Sequence, residues 1–257
     1  MQPNVSAGTA VHSGAAPARQ GQALLTYCDD ATGERTVLTA DALGSWAART
    51  AGLLYDGCGL GVGDRAAVLL PPHWQSAAVL LGAWSVGIAV SFRPWATAGL
   101  PPPDFDADEP VEAVFVSRQR LDSWLESVPT ARHRFVLGLQ PHRTPSPVDV
   151  PAGYRDYLTE VARYSDCTPP YGSILGTDAA SPDGTTFREW ESLAQEIAAT
   201  LDLHPGDRLL VDAGAHEQPV AWLLAPLTAG ASIVICANLD RRTLGARIAA
   251  EGITRVL

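Results

Sequence analysis

The chain has 257 residues and a formal net charge of −10. That length permits one or two domains and a core that needs no disulfide staples. The acidic balance excludes a nucleic-acid interface and an anionic membrane surface, both of which call for clustered Lys and Arg. All 18 basic residues are arginine, so Schiff-base, lysine general-base and P-loop lysine chemistry is excluded as well.

Residues 1–20, MQPNVSAGTAVHSGAAPARQ, are small and polar and lack an apolar core of signal-peptide length. They read as a disordered tail. Without a secretory signal, Cys28, Cys58, Cys167 and Cys236, none in a C-x-x-C pair, read as reduced thiols of a cytoplasmic protein. A first α/β lobe is expected over 21–140. It contains a helix at 39–54, TADALGSWAARTAGLL, and then GCGLGVGDRAAVLLPP at 57–72. The glycines of that stretch precede the strand-like AAVLL, whereas a dinucleotide fingerprint places them after a strand, so it reads as a helix–strand loop. AAVLLGAWSVGIAV (77–90) is shorter than the roughly 18 apolar residues of a membrane span and reads as a buried helix running into a buried strand.

His73 and Trp74 open that helix as packing and surface residues. Trp95, on the loop RPWATAGLPPP, is the candidate partner-contact residue. VEAVFVS (111–117), RQRLDSWLESV (118–128) and RFVLGL (134–139) give strand, helix and strand. Arg132, His133, Arg134 and His142 form a basic patch that suits a solvated face or an anion site. The Pro-rich and turn-rich residues 141–184 read as a connection, with a short helix near 156–166. A second, incomplete lobe is expected over 185–257. Its first helix, TTFREWESLAQEIAATL, has Glu189 three residues after Thr186, the capping-box spacing. The chain ends on EGITRVL, a helix end and a strand.

The two lobes echo each other. Gly63-Asp64-Arg65 and Gly206-Asp207-Arg208 each follow an apolar helix and precede a strand. Gly87 and Gly230 each close the next helix, where a left-handed glycine is expected. Each unit therefore reads helix, Gly-Asp-Arg turn, strand, loop, buried helix, Gly, strand. Such alternation implies mostly parallel sheets flanked by helices, an α/β fold of two similar lobes. Asp64 and Asp207 read as turn residues that bond backbone N–H groups.

LTADALGSWAARTAGLL, GVGDRAAVLLPPHWQSAAVLLGAWSVGIAV and the second unit at 206–235 resemble the N-terminal half of the adenylate-forming superfamily of acyl-CoA synthetases, luciferases and peptide-synthetase adenylation domains. The similarity spans roughly residues 24–257, and the chain looks most like a group of short actinobacterial proteins that have the form of an N-terminal AMP-binding half. In that superfamily a Ser/Thr/Gly-rich loop ending in Pro-Lys-Gly cradles the ATP phosphates. Here the matching place is LGTDAASPDGTTFREW (175–190), with Asp183 where the lysine would stand. A carboxylate repels a phosphate by about 1 kcal/mol at 4 Å in bulk water and by more in a cleft.

The resemblance makes Ser181, Gly184 and Thr185 the remnant nucleotide-binding positions. It makes His216 either a residue of the acyl pocket or a loop histidine. The family's ribose-binding aspartate, hinge and catalytic-lysine domain have no counterpart in the sequence. No H-E-x-x-H, G-x-S-x-G or Cys/His cluster occurs, so no catalytic residue, metal or cofactor is expected. The resulting expectation is a non-catalytic, truncated relative of acyl-activating enzymes that binds a protein partner or an acyl or nucleotide-like small molecule. The alternative is one component of an acyl-adenylating ligase completed by a second chain.

Overall fold

The computed structural model describes residues 21–94, 110–123, 128–139, 150–166 and 174–257. The chain opens with an antiparallel hairpin of β1 (Ala23–Asp29) and β2 (Arg35–Thr39). The Thr39 side chain accepts from the Ala42 N–H and so caps α1 (Ala40–Gly52), which widens into a π-helical turn over Leu53–Gly57. Next come β3 (Arg65–Leu69), α2 (Trp74–Ser85), β4 (Ala89–Phe92), β5 (Val111–Ser117), α3 (Arg118–Leu121), β6 (Ala131–Leu137), β7 (Arg155–Asp156) and α4 (Tyr157–Val161). The last part holds α5 (Phe187–Thr200), β8 (Arg208–Asp212), a π-helical turn at Val220–Leu224, α6 (Ala225–Ala229), β9 (Ser232–Ala237), α7 (Leu244–Glu251) and β10 (Arg255–Val256). The second π-helical turn runs straight into Pro226, whose missing N–H interrupts the regular ladder.

The strands form two five-stranded sheets. The first runs β4-β3-β5-β6-β7 and is parallel throughout. The second runs β10-β8-β9-β1-β2 and is parallel except for the β1–β2 hairpin. This is the α/β architecture of two mostly parallel sheets with helical crossovers. Sheet membership cuts across chain order, however. β1 and β2 fall within residues 21–140, yet they complete the sheet built from 208–256. No local pattern could show this, because register between distant strands is set by tertiary packing.

Alternation along the strands sorts side chains onto two faces. Ala66, Val68, Phe115, Leu209 and Ile233 face one large core that also takes Trp74 of α2 and Trp222. Ala67, Leu69, Val114 and Val116 face away into a second cluster. Leu210, Val234, Cys28 and Cys236 form a third on the outer face of the second sheet. From sequence, His73 belongs to packing and surface; in the fold it is wholly buried and its Nδ1 caps α2 by accepting from the Gln75 N–H.

The repeated Gly-Asp-Arg turns have the same geometry. Asp64 Oδ2 accepts from the Gly61 N–H at 2.8 Å, and Asp207 Oδ2 accepts from the His204 N–H at 2.8 Å. Each aspartate's own carbonyl then accepts from the start of the neighbouring strand, from Ala89 at 2.9 Å and Ser232 at 2.8 Å. Gly63 and Gly206 have φ of 95° and 92°, as the turn requires.

Candidate functional site

Residues 174–186 lie between α4 and α5 and hold the remnant loop. Asp178 Oδ2 accepts from the Leu175 N–H at 2.7 Å, and Ala179 and Thr186 face each other across an isolated antiparallel bridge. Between them the chain folds back tightly. The Ala180 and Ser181 N–H groups donate to the Thr185 carbonyl at 2.8 and 3.3 Å, and the Gly184 N–H donates to the Ser181 carbonyl at 3.1 Å. Gly184 has φ 89°, a conformation that reserves the position for glycine.

Asp183 turns its carboxylate back onto this hairpin. Its Oδ1 accepts from the Ser181 hydroxyl at 2.5 Å and from the Thr185 N–H at 2.9 Å. The Ser181 hydroxyl first, and the Thr185 N–H after it, hold the Asp183 carboxyl below the usual carboxylate range. Ser181, Gly184 and Thr185 are thus brought together, but around an ionised side chain of the loop itself. The Ser181 hydroxyl and the Gly184 and Thr185 N–H groups are all engaged within the hairpin.

The adjoining helix start is also occupied. Glu189 Oε2 accepts from the Thr186 N–H and hydroxyl, both at 2.8 Å, while the Glu189 N–H donates to Thr186 Oγ1 at 3.3 Å. This is the capping box the spacing predicts. The Thr186 donors hold the Glu189 carboxyl below its usual range. A helix N-terminus ordinarily attracts an anion. Here the Asp183 and Glu189 carboxylates take the nearby donors.

Two indoles fasten the hairpin. Trp84 Nε1 of α2 donates to the Ala180 carbonyl and Trp190 Nε1 of α5 donates to Ser181 Oγ, each at 3.3 Å. Their rings lie 5.9 Å apart at a 46° tilt. The Ala180 carbonyl accepts also from the Val90 N–H at 2.9 Å, so the hairpin covers the outer side of β4, an edge of the first sheet. Both tryptophans lie on helices. Their spacing carried no sign of this clasp.

His216 sits on another element, the turn at the carboxyl end of β8. It is half-buried, and its N–H donates to the Asp212 carbonyl at 3.0 Å. The carboxyl ends of parallel strands are where α/β folds place ligands. In the basic patch, Arg155 Nη2 lies 3.1 Å from His133 Nδ1 while its Nη1 pairs with Glu160 at 3.3 Å. Arg134 Nε donates to the Ala131 carbonyl at 3.2 Å. His142, Trp95 and Cys167 lie outside the described residues. Among the described residues no group of three or more His, Cys, Asp or Glu could hold a metal ion, and no helix is long and apolar enough to cross a membrane.

The architecture is shared with solved acyl-CoA synthetases. Acetoacetyl-CoA synthetase from Streptomyces lividans superposes with a TM-score of 0.68 at 21% identity, over 94% of this chain and 40% of that one. An acyl-CoA synthetase from Brucella canis gives 0.65 at 19% identity, over 92% and 44%. A fatty acyl CoA synthetase from Mycobacterium tuberculosis gives 0.61 at 16% identity, over 88% and 44%. The chain therefore spans less than half the length of these enzymes. No protein-family model matches the chain. A curated relative, the TIGR03089 family protein of Mycobacterium tuberculosis (strain ATCC 25618 / H37Rv), is 37% identical over 244 residues, covering 91% of this chain and 90% of that protein. The fold is accordingly that of the N-terminal part of adenylate-forming enzymes, and the chain belongs to the TIGR03089 family.

Proposed function

We propose that this protein is a non-catalytic relative of AMP-binding, acyl-activating enzymes that works by binding. The observation that carries the reading is the Asp183 carboxylate on Ser181 Oγ and the Thr185 N–H. At the Pro-x-Gly position the loop supplies its own anion. The absence of lysine throughout the chain supports the same reading, because Asp183 stands where the resembling enzymes carry the lysine of Pro-Lys-Gly. Ser181, Gly184 and Thr185 are then the vestige of a nucleotide loop, kept as an edge cover for the first sheet. His216, at the carboxyl end of β8, is placed to line a site for an acyl or nucleotide-like ligand. The binding partner is such a small molecule or another protein, met in the cytoplasm.

ATP titration by calorimetry, together with ATP–pyrophosphate exchange in the presence of carboxylic acids, tests this. The expected result is no saturable ATP binding at millimolar nucleotide and no exchange. Saturable binding accompanied by exchange would overturn it. A second reading, a ligase component completed by another chain, is favoured by the 40–44% coverage of the synthetases. It requires exchange activity that appears only when a lysine-bearing partner is added.

A further inference from the structure

The parallel ladder between β1 and β9 brings two thiols into register. Cys28 and Cys236 are direct partners across it. Neighbouring strands lie about 4.8 Å apart, inside the roughly 4.4–6.8 Å between Cα atoms that a disulfide spans. Both side chains face the outer cluster with Leu210 and Val234, and both are free and buried.

The charges around the pair are unequal. The neighbouring Cys236 thiol first, and then the Arg247 and Arg35 guanidinium groups, hold the Cys28 thiol low against burial, with Glu251 opposing. The neighbouring Cys28 thiol and burial push Cys236 up, joined by Asp30 and opposed by Arg247. Arg35 faces Cys28 across the β1–β2 ladder, which makes Cys28 the sulfur suited to attack and Cys236 the one left to resolve. The cover over them is thin. α7 has no fully buried residue. It is tied down by Arg247 to Asp30 and by Glu251 to Arg35 and Arg208. An open recess of about 280 Å³ runs along α7, lined by Thr243, Ala246, Arg247, Ala250 and Glu251. The guanidinium that acts on both thiols therefore borders space a small oxidant can enter.

We propose that Cys28 and Cys236 are a reversible oxidation site, closed to a disulfide by an oxidant of the peroxide class and reopened by a dithiol. The Cys28 thiolate attacks one peroxide oxygen. The O–O bond breaks, hydroxide leaves, and Cys28 becomes a sulfenic acid, oxidised by the two electrons the peroxide gains. Cys236 sulfur then attacks the sulfenic sulfur. The S–S bond forms, the S–O bond breaks, and the Cys236 proton leaves with the hydroxyl as water.

The test treats the folded full chain with hydrogen peroxide and maps its peptides without reduction. The expected outcome is loss of two of the four thiols, a mass lower by about 2 Da, and a Cys28–Cys236 cross-linked peptide that dithiothreitol abolishes. Cys236→Ser is expected to leave Cys28 as a sulfenic acid that dimedone traps, and Cys28→Ser to leave Cys236 untrapped. Failure to find the cross-linked peptide while other cysteines or overoxidised forms accumulate overturns the proposal. The map of the unsubstituted protein decides this even if a variant does not fold.

Discussion

His73 is buried in the shared core as a neutral imidazole; desolvation pushes its pKa down to about 3. An unfolded histidine titrates near 6.5. Between those values the unfolded chain binds one more proton than the native one, so His73 makes stability fall as pH falls below about 6.5. The slope approaches about 1.4 kcal/mol per pH unit. His133 is shifted in the same direction, by burial first and then by Arg155 and Arg132. His73→Asn retains a side-chain acceptor at the N-cap and is expected to remove about one proton's share of that slope in urea midpoints measured from pH 4 to 6.5. Gly87 supplies a second residue-scale prediction. Its φ is 80°, and a Cβ there would collide with the Val62 side chain. Gly87→Ala is expected to cost about 1–3 kcal/mol, read as a lower unfolding midpoint. The left-handed glycine was legible in the sequence from its place after a helix and before a strand. The burial of His73 was not, since a histidine after two prolines reads equally well as a surface cap.

Among the elements, the capping box of α5 was fully legible, because two residues at a fixed spacing define it. The hairpin before it was legible only as a degenerate loop. Its fastening by Trp84 and Trp190 joins residues from two helices distant in sequence. Trp190→Phe keeps the ring and removes the donor to Ser181, and is expected to cost about 1 kcal/mol in chemical denaturation. The β1–β2 hairpin left too weak a mark to be foreseen. Five residues of turn separate two short strands, and its pairing partner lies some two hundred positions away. At α7, Glu251 is held below its usual range, first by its bond from Arg35 and, against burial, by Arg208. A carboxyl depressed in the native state adds stability that is complete above its unfolded value of about 4.3 and is lost as pH falls through the native one. Glu251→Gln is therefore expected to lower stability at neutral pH and to blunt the acid limb below about pH 4, separately from the histidine-dependent fall at higher pH.

At the scale of the molecule, the doubled Gly-Asp-Arg unit made the two-sheet plan readable before any coordinates, since each copy dictates a strand, a buried helix and another strand. What the copies could not say is where the opening hairpin goes. β1 lies between β2 and β9, so the first strand of the described residues is hydrogen-bonded to one some two hundred positions later. A chain leaving the ribosome can assemble the first sheet early, but its leading hairpin has no berth until Ser232–Ala237 emerge. Until then β1 carries an open ladder of donors and acceptors. Such a long-range closure slows folding and leaves an unfinished sheet edge exposed along the way.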